Sequence, residues 1–573
     1  MNISKKLINT FLITGLVILL TIFFSRTGYI RNEGFNPTDE GVVIAQSWRV
    51  INGEIPHKDF ISIRPAGSGI FHTIDFIFPG SLVENSRWIV LFQYFVIALC
   101  VSLLFYREIN KKYNIYGSPV ILVSMIIAGF TLTVLNYNLF PWTTVDALFW
   151  TSIALPLIFS DKNKLKNYIG LILLAFAALS RQTFLLISLL GNCYIIYQYR
   201  KEFIKSIPVI LIGLLPYIGY FLMLFINNGL SDFIIQMSGR SEFFRTAILK
   251  FGSSFFKGYA APFNFVIIFI SVLLIIRKKH NFIEMFVNKG LHAVVSIIYI
   301  ILAVIMIVRH FLAAEFNAYG MPFEIFFILL TFIFFHYSVY PFNSRIRTIA
   351  ISILLISWVS AISLGANTPV FSVGLMFITL VSLVADILLE YPFEKIKIIE
   401  NKYIILIISV GLFIVGYFGQ QNNNYRDNKP EKLVYGLNYA SPEFGKIKTN
   451  HSMVAYYSDL KDIYSFLDNA ENNTVVFPCN AIFYPVMKTK NPMSLDWLNP
   501  YEYTGQEERI KKDLLSVIYE KDVYFIVDKI DVRIINNKIK PMVYNTDIVY
   551  DIIRENCKKI EMDSDFFEIY KSF

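Results

Sequence analysis

Charge is scarce in this chain. Asp, Glu, Lys and Arg make up 17% of its 573 residues, against 55% apolar residues. A soluble surface needs about a quarter of its residues charged, so a soluble enzyme and a disordered chain are excluded. Histidine and cysteine are also few, at seven and four. Cys100, Cys193, Cys479 and Cys557 have no metal-ligand spacing. Cys479 and Cys557 can pair only if the C-terminal stretch lies in an oxidising compartment. No convincing Walker loop, Gly-rich dinucleotide turn or Asp-x-Asp nucleotide-sugar motif is present.

The net charge of +9 does not indicate a nucleic-acid partner once it is divided. From Gln421 onward there are 20 basic and 23 acidic residues, which leaves 32 basic and 20 acidic in the first 420. The basic excess lies between apolar runs, the pattern of a polytopic helical membrane protein. The runs predict about thirteen spans: 7–24, 88–106, 117–135, 144–160, 167–180, 183–199, 207–227, 262–276, 291–308, 321–340, 348–364, 370–390 and 403–419. The first follows Lys5 and Lys6 and has no cleavage site, as in an uncleaved signal anchor. The pair around Arg181 reads equally as one broken helix. With the N-terminus inside, the seven cytoplasmic pieces hold 20 of the 32 basic residues, the bias expected of inner loops. The expectation is a multi-pass protein of the cytoplasmic membrane, N-terminus inside and C-terminus outside.

The expected division is a transmembrane domain over 1–420 and an extracytoplasmic α/β domain over 421–573. In the tail, Thr474–Phe477 and Val523–Val527 read as buried strands, and Glu508–Tyr519 as an amphipathic helix between them. Two external loops are long, 26–87 and 229–260, and loops of that length usually carry function.

The first of these contains FNPTDEGVVIAQSWRVINGEIPHKDFISIRPAGSGIFHTIDFIFPG. Pro37-Thr38 followed by Asp39-Glu40 marks a helix start, with Thr38 or Asp39 as cap. The helix carries Val43, Ile44 and Trp48, which suit a membrane interface, and stops at Asn52-Gly53. Asp39 and Glu40 beside apolar helices have the chemistry of a general base on a hydroxyl. Arg64 has that of a phosphate clamp. Equally, Asp39 serves as a plain cap and Arg64 as an interfacial anchor.

Asp39-Glu40-Gly41, Ala45, Gly53-Glu54-Ile55-Pro56, Asp59-Phe60 and Arg64-Pro65 together resemble the first periplasmic loop of the C-type glycosyltransferase superfamily (GT-C). These polytopic enzymes use lipid-phosphate-linked sugars; they include protein O-mannosyltransferases and the lipid A aminoarabinose transferase. The resemblance implies an all-α membrane domain with an external α/β tail. It also implies a polyprenyl-phosphate sugar donor and a glycan, lipid or protein acceptor at the bilayer, with no nucleic acid. It places the base at Asp39 with Glu40 beside it, and substrate contacts at Arg64 and Asp59. A second proline after Pro65 is missing. The tail has a lone Trp497 where the oligosaccharyltransferase branch has a WWDxG-type motif.

Other positions join this set. Asp146, at the outer end of the fourth span, reads as a cap or as a second catalytic acid. Arg181 lies between two apolar runs, where a guanidinium is costly unless paired or wet. It reads as a snorkelling residue or, with Gln182, as a lipid-phosphate ligand. Arg309, His310 and Glu315 lie in an external turn; His310 reads as an interfacial residue or, since the turn resembles the basic or His-containing one that lines the donor site in relatives, as a donor contact with Arg309. Arg240 and Arg245 read as solvated charges or headgroup contacts. A divalent metal is left open as a cofactor, since carboxylates are present without ligand spacing. The rival readings are a flippase, transporter or polymerase for lipid-linked saccharides, and a non-enzymatic envelope scaffold.

Overall fold

The computed structural model describes residues 32–113, 119–136, 138–160, 163–238, 289–312, 320–339, 344–362, 368–390, 426–467, 473–503, 505–520, 522–532 and 547–573, with a few single positions between them. The expected spans 7–24, 262–276 and 403–419 fall outside these residues or touch them only at single positions. Glu315, Arg240 and Arg245 fall outside them too.

Two short helices form in the first loop, α1 (Gly41–Ile51) and α2 (Gly67–Phe71), the latter running into a 3-10 turn at His72–Phe76. The bundle follows: α3 (Leu82–Tyr113), α4 (Pro119–Val134), α5 (Thr143–Ile158), α6 (Lys164–Ser180), α7 (Leu185–Gln198), α8 (Ile207–Gly213) and α9 (Leu215–Ile226). After α10 (Leu230–Ser238) come α11 (Lys289–Leu312), α12 (Met321–Val339), α13 (Arg345–Ala361) and α14 (Val373–Glu390). These helices coincide with the apolar runs because a backbone without water satisfies its polar groups internally. Side-chain caps mark starts where a polar loop precedes a run. Asn163 accepts from the Lys166 N–H, and Ser344 from that of Arg347.

Among the described residues, three helices are long and apolar enough to cross a membrane: Leu82–Tyr113, Val294–Leu312 and Val370–Glu390. A fourth is reached if α8 and α9, bent by 43°, form one span. The thirteen-span count is therefore not established. Several apolar runs are interrupted before they reach full length. Arg181 is extended between α6 and α7, and Pro216 opens α9 just past the bend.

The tail carries β1 (Tyr435–Gly436) paired with β2 (Lys448–Thr449), then α15 (His451–Phe466). A four-stranded sheet follows, with strands β3 (Thr474–Phe477), β4 (Tyr524–Asp528), β5 (Cys557–Ile560) and β6 (Phe567–Ser572) in the order β3-β4-β6-β5. β3 and β4 are parallel, with Val475 opposite Phe525, and the other pairings are antiparallel. Between β3 and β4 lie α16 (Phe483–Met487), α17 (Pro500–Tyr503) and α18 (Glu507–Glu520); α19 (Asp547–Asn556) precedes β5. Both expected strands and the helix between them are present to within about one residue. Cys479 and Cys557 are buried and not bridged to one another, and the Cys479 sulfur accepts the Trp497 indole N–H at 2.9 Å.

The first loop is built into the tail. Gly34 donates to the Lys448 carbonyl at 2.9 Å, and Lys448 donates back to Asn32 at 2.6 Å. Phe35, Ile44, Leu82 and Val83 share one apolar core with Phe444, Tyr456, Ile482 and Ile526. Trp48 corrects the expectation of an interfacial helix. Its indole N–H donates to the Thr489 carbonyl at 2.7 Å and its ring stacks on Phe76. The tail, rather than lipid, covers this face of α1.

Candidate functional site

Helix α1 starts from Glu40 without a side-chain cap. Instead, the Asn36 carboxamide oxygen accepts the Asp39 N–H at 2.9 Å and the Thr38 hydroxyl at 2.7 Å. This corrects the expected cap and leaves both acids for other partners. Glu40 is fully buried and takes a two-point contact from Arg87 on α3, at 2.6 and 2.8 Å. Burial raises the Glu40 pKa against the pull of Arg87. Arg87 also donates to the Gly34 carbonyl at 2.7 Å, so Glu40 ties the loop to the bundle. Asp39 is 11% exposed and meets Arg426, from the segment that leads into the tail, at 2.7 Å. Gly41 has to be glycine, because a Cβ there would lie 2.5 Å from the Ile482 nitrogen.

Arg181 and Arg64 come together from opposite sides. A Cβ on Gly67 would sit 2.5 Å from the Leu179 carbonyl oxygen. Only a glycine lets the Arg64-Pro65-Ala66 segment press on the end of α6 so closely. Arg181 is buried and donates to Thr143, to Thr144 and, at 2.5 Å, to the Ile362 carbonyl. Among the described residues no carboxylate pairs with it, and its Nε has no partner. The like-charged Arg64 lies close enough to act against its charge. Arg64 is about a quarter exposed and is held at 3.3 Å by Glu502 of the tail. Gln182 donates to the Ile63 carbonyl at 3.1 Å, which fixes the same junction. Two neighbouring guanidinium groups, one of them buried without a carboxylate among the described residues, have the chemistry to receive an anion.

Asp146 lies one turn into α5, fully buried. Its Oδ1 receives His72 Nε2 at 3.1 Å and Gln93 at 2.6 Å, and its Oδ2 has no partner. The other His72 nitrogen faces both Asp75 oxygens at 3.0 Å. Burial opposes the imidazolium, but Asp75 and Asp146 outweigh it and push its pKa up to about 10.

A second histidine has the opposite character. His57, with φ at 69°, is buried between Gln236 and Tyr220, both at 2.8 Å. Burial drives its pKa down to about 4. Tyr220 also accepts the Ala66 N–H at 3.0 Å, so α9 and α10 brace the first loop from behind.

Asp59 stands apart from these groups. It accepts the Ile55 N–H at 2.6 Å and lines an open cleft of about 490 Å³ with Lys58, Lys490, Ser494, Arg509 and Asp513. Arg49 forms the wall of that cleft and anchors loop to tail. It makes two 2.8 Å contacts to Asp496 and one of 2.6 Å to Glu54. Arg309 is paired with Glu324 at 2.7 Å across the α11–α12 turn. His310 beside it is buried against Phe311.

The structure thus brings Arg64, Arg181 and Gln182 into one corner, with Asp146 on the α5 turn that holds Arg181. Glu40 is tied to the bundle through Arg87, which lies six residues or about 9 Å along α3 from Gln93, and Asp39 beside it is held by Arg426. Asp59 and the Arg309–Glu324 pair belong to other contacts. The sequence reading passed over His72, Asp75 and Gln93. It also passed over a buried cluster at the other end of the bundle, where Asp386 meets His336 at 2.9 Å and Lys112 at 2.9 Å. Asp386 and His336 both lie inside apolar runs, and an ionisable residue in such a run is a signal in itself. Among the described residues no three His, Cys, Asp or Glu side chains converge as metal ligands.

No family model and no curated relative matches the chain. A similar solved structure is the crystal structure of ArnT from Cupriavidus metallidurans bound to undecaprenyl phosphate. Identity is 10%, coverage is 98% of each chain and the TM-score is 0.42. A likeness of this size assigns neither residues nor substrate.

Proposed function

We propose that the chain is a membrane glycosyltransferase that moves a sugar from a polyprenyl-phosphate donor to a hydroxyl acceptor outside the cytoplasm. The observation that carries this is Arg181, a buried guanidinium without a carboxylate and with Arg64 beside it. An unpaired buried cation costs several kcal/mol, and a phosphate arriving between the two arginines would offset that cost. The leaving group is then a phosphate already facing two cations, which stabilise the charge that develops as the sugar departs.

The acceptor oxygen bonds to the anomeric carbon as the bond from that carbon to the phosphate oxygen breaks. The electron pair leaves with the polyprenyl phosphate and the hydroxyl proton passes to a carboxylate. Asp39 suits that last role, being partly exposed and held by Arg426 rather than sealed like Glu40. The division at residue 420, the outward-facing tail and the inner-membrane location belong to the same proposal. In it the tail, joined to the loop through Arg49 and Trp48, contributes to acceptor choice.

Translocation of a lipid-linked saccharide is the second reading, and the Asp386–His336–Lys112 cluster at the far end of the bundle favours it. Its charges are matched to one another, however, as in a structural staple. The test is transfer from a panel of radiolabelled polyprenyl-phosphate sugars to lipid and glycan acceptors, with wild type and Asp39→Asn side by side. Transfer by wild type that is lost in the variant supports the reading. Full activity in a folded Asp39→Asn protein removes Asp39 as base. Intact wild type that neither transfers nor hydrolyses any donor turns the reading toward translocation.

A further inference from the structure

We infer that His72 is a positioning residue, and that the Asp75–His72–Asp146 clamp sets the spacing between Arg64 and Arg181. The inference deepens the donor-phosphate reading and rests on it.

The first turn of α5 holds both halves of the anion site. Thr143 and Thr144 receive the Arg181 guanidinium. Asp146, on the same turn, receives His72. His72 in turn opens the 3-10 half of a short, nearly continuous helical segment, 67–76, which begins two residues after Arg64-Pro65. The segment is stopped at its front by Gly67 against the end of α6 and at its middle by Gly69, whose Cβ would lie 3.1 Å from Gln46. Its hold on α5 is the His72–Asp146 hydrogen bond together with the Phe71 ring, which meets Phe149 and Trp150. Rotation about the two glycine contacts would slide Arg64 along Arg181, and the clamp prevents that rotation.

The clamp is suited to the task because it is directional at both ends. Each imidazole nitrogen faces a carboxylate oxygen, so each carries a proton and donates. Both partners and the ring are shut away from solvent, where charge-assisted hydrogen bonds keep their full strength and geometry. The high His72 pKa agrees with a ring that stays charged. Asp75 adds a second hold on the turn, since its backbone carbonyl accepts from Asn85 at the start of α3 at 3.2 Å. Asp146 is sealed, and its first oxygen is taken by His72 and Gln93. Its contacts are those of an anchor for the phosphate site.

The experiment measures binding of undecaprenyl monophosphate to the full-length protein in nanodiscs, for wild type, His72→Gln, Asp75→Asn, Arg64→Met and the double variant His72→Gln/Arg64→Met. Thermal unfolding is followed on each, with Asp386→Asn as a control that destabilises the bundle elsewhere. His72→Gln is expected to weaken binding about ten-fold, the loss of roughly one charge-assisted contact. Asp75→Asn, which keeps the His72–Asp146 contact, is expected to weaken it less. The double variant should bind no worse than Arg64→Met, because His72 acts through Arg64. A merely structural role would lower the unfolding temperature as Asp386→Asn does, leave affinity unchanged and give additive losses. That result overturns the inference and leaves the donor reading standing. If wild type binds no polyprenyl phosphate, the donor reading fails first and the inference falls with it.

Discussion

The two ends of the helical bundle treat buried charge differently. At the end away from the first loop, charges are matched. Asp386 is met by Lys112, Tyr113 and His336, and Glu108 by Arg107, Lys111 and Arg345. At the loop end the matching is incomplete. Among the described residues Arg181 has neutral hydrogen-bond partners and no carboxylate. Burying matched ions is close to neutral for stability, whereas burying an unmatched one is costly. In the proposed function, that cost is what a donor phosphate at the loop end would offset.

The largest effects should break this contrast. Arg181→Met is expected to lower transfer by about a hundred-fold or more, the usual loss when a group that stabilises developing charge is removed. The same variant should unfold at a higher temperature than wild type, because an unpaired buried cation has been replaced by an apolar side chain. A thermal scan beside the transfer assay checks both, and a lower melting temperature would show that Arg181 is matched after all. Asp386→Ala should behave in the opposite way. It leaves Lys112 with Glu390, at 3.4 Å, and the buried His336 without its Asp386 partner, at a cost of about 3 kcal/mol, while donor affinity in the surviving folded fraction is unchanged. Denaturant unfolding and binding on one preparation separate the two.

The loop–tail junction sharpens the comparison further. Arg49→Met strands Asp496 and Glu54, and should release the tail to limited proteolysis before the bundle unfolds, again at a cost of about 3–5 kcal/mol. A digestion pattern identical to wild type would show that the shared apolar core alone holds the junction. The two loop histidines differ in pH response. The folded pKa of His72, about 10, lies above its unfolded value of about 6.5. Its contribution to stability is therefore full below pH ~6.5 and is lost as pH rises toward 10. His72→Gln should flatten that decline, and unfolding measured across this range decides it. The smallest effect is Trp48→Phe. It keeps the stacked ring but loses the hydrogen bond to Thr489, for about 1 kcal/mol. A loss several times larger would mean that the indole does more than tie α1 to the tail.

Much of the architecture could be read from composition and pattern. Apolar runs located the described bundle helices, since length and hydropathy are local properties. β3, β4 and the helix between them were visible because alternation and turn residues are local as well. Asp39, Arg64 and Arg181 stood out as charges beside apolar sequence. What could not be read was which charge would be matched. Glu40 and Arg87 are 47 residues apart, His72 and Asp146 74, and Arg49 and Asp496 447. Nothing in either local stretch announces its partner. The interfacial reading of Trp48 failed for the same reason, because an apolar face does not say whether lipid or protein will cover it.

The sequence by itself determined that this is a helical membrane protein with a polar α/β tail and with charged residues set into its first loop. Hydrophobicity, charge count and periodicity suffice for that, since each acts over a few turns of chain. Only the tertiary structure decided that Glu40 is an anchor, that Asp146 and His72 clamp a loop, and that Arg181 alone among these charges is left for something else to meet. A buried charge owes its energy to whatever lies within a few ångströms, and folding chooses those neighbours from anywhere along the chain.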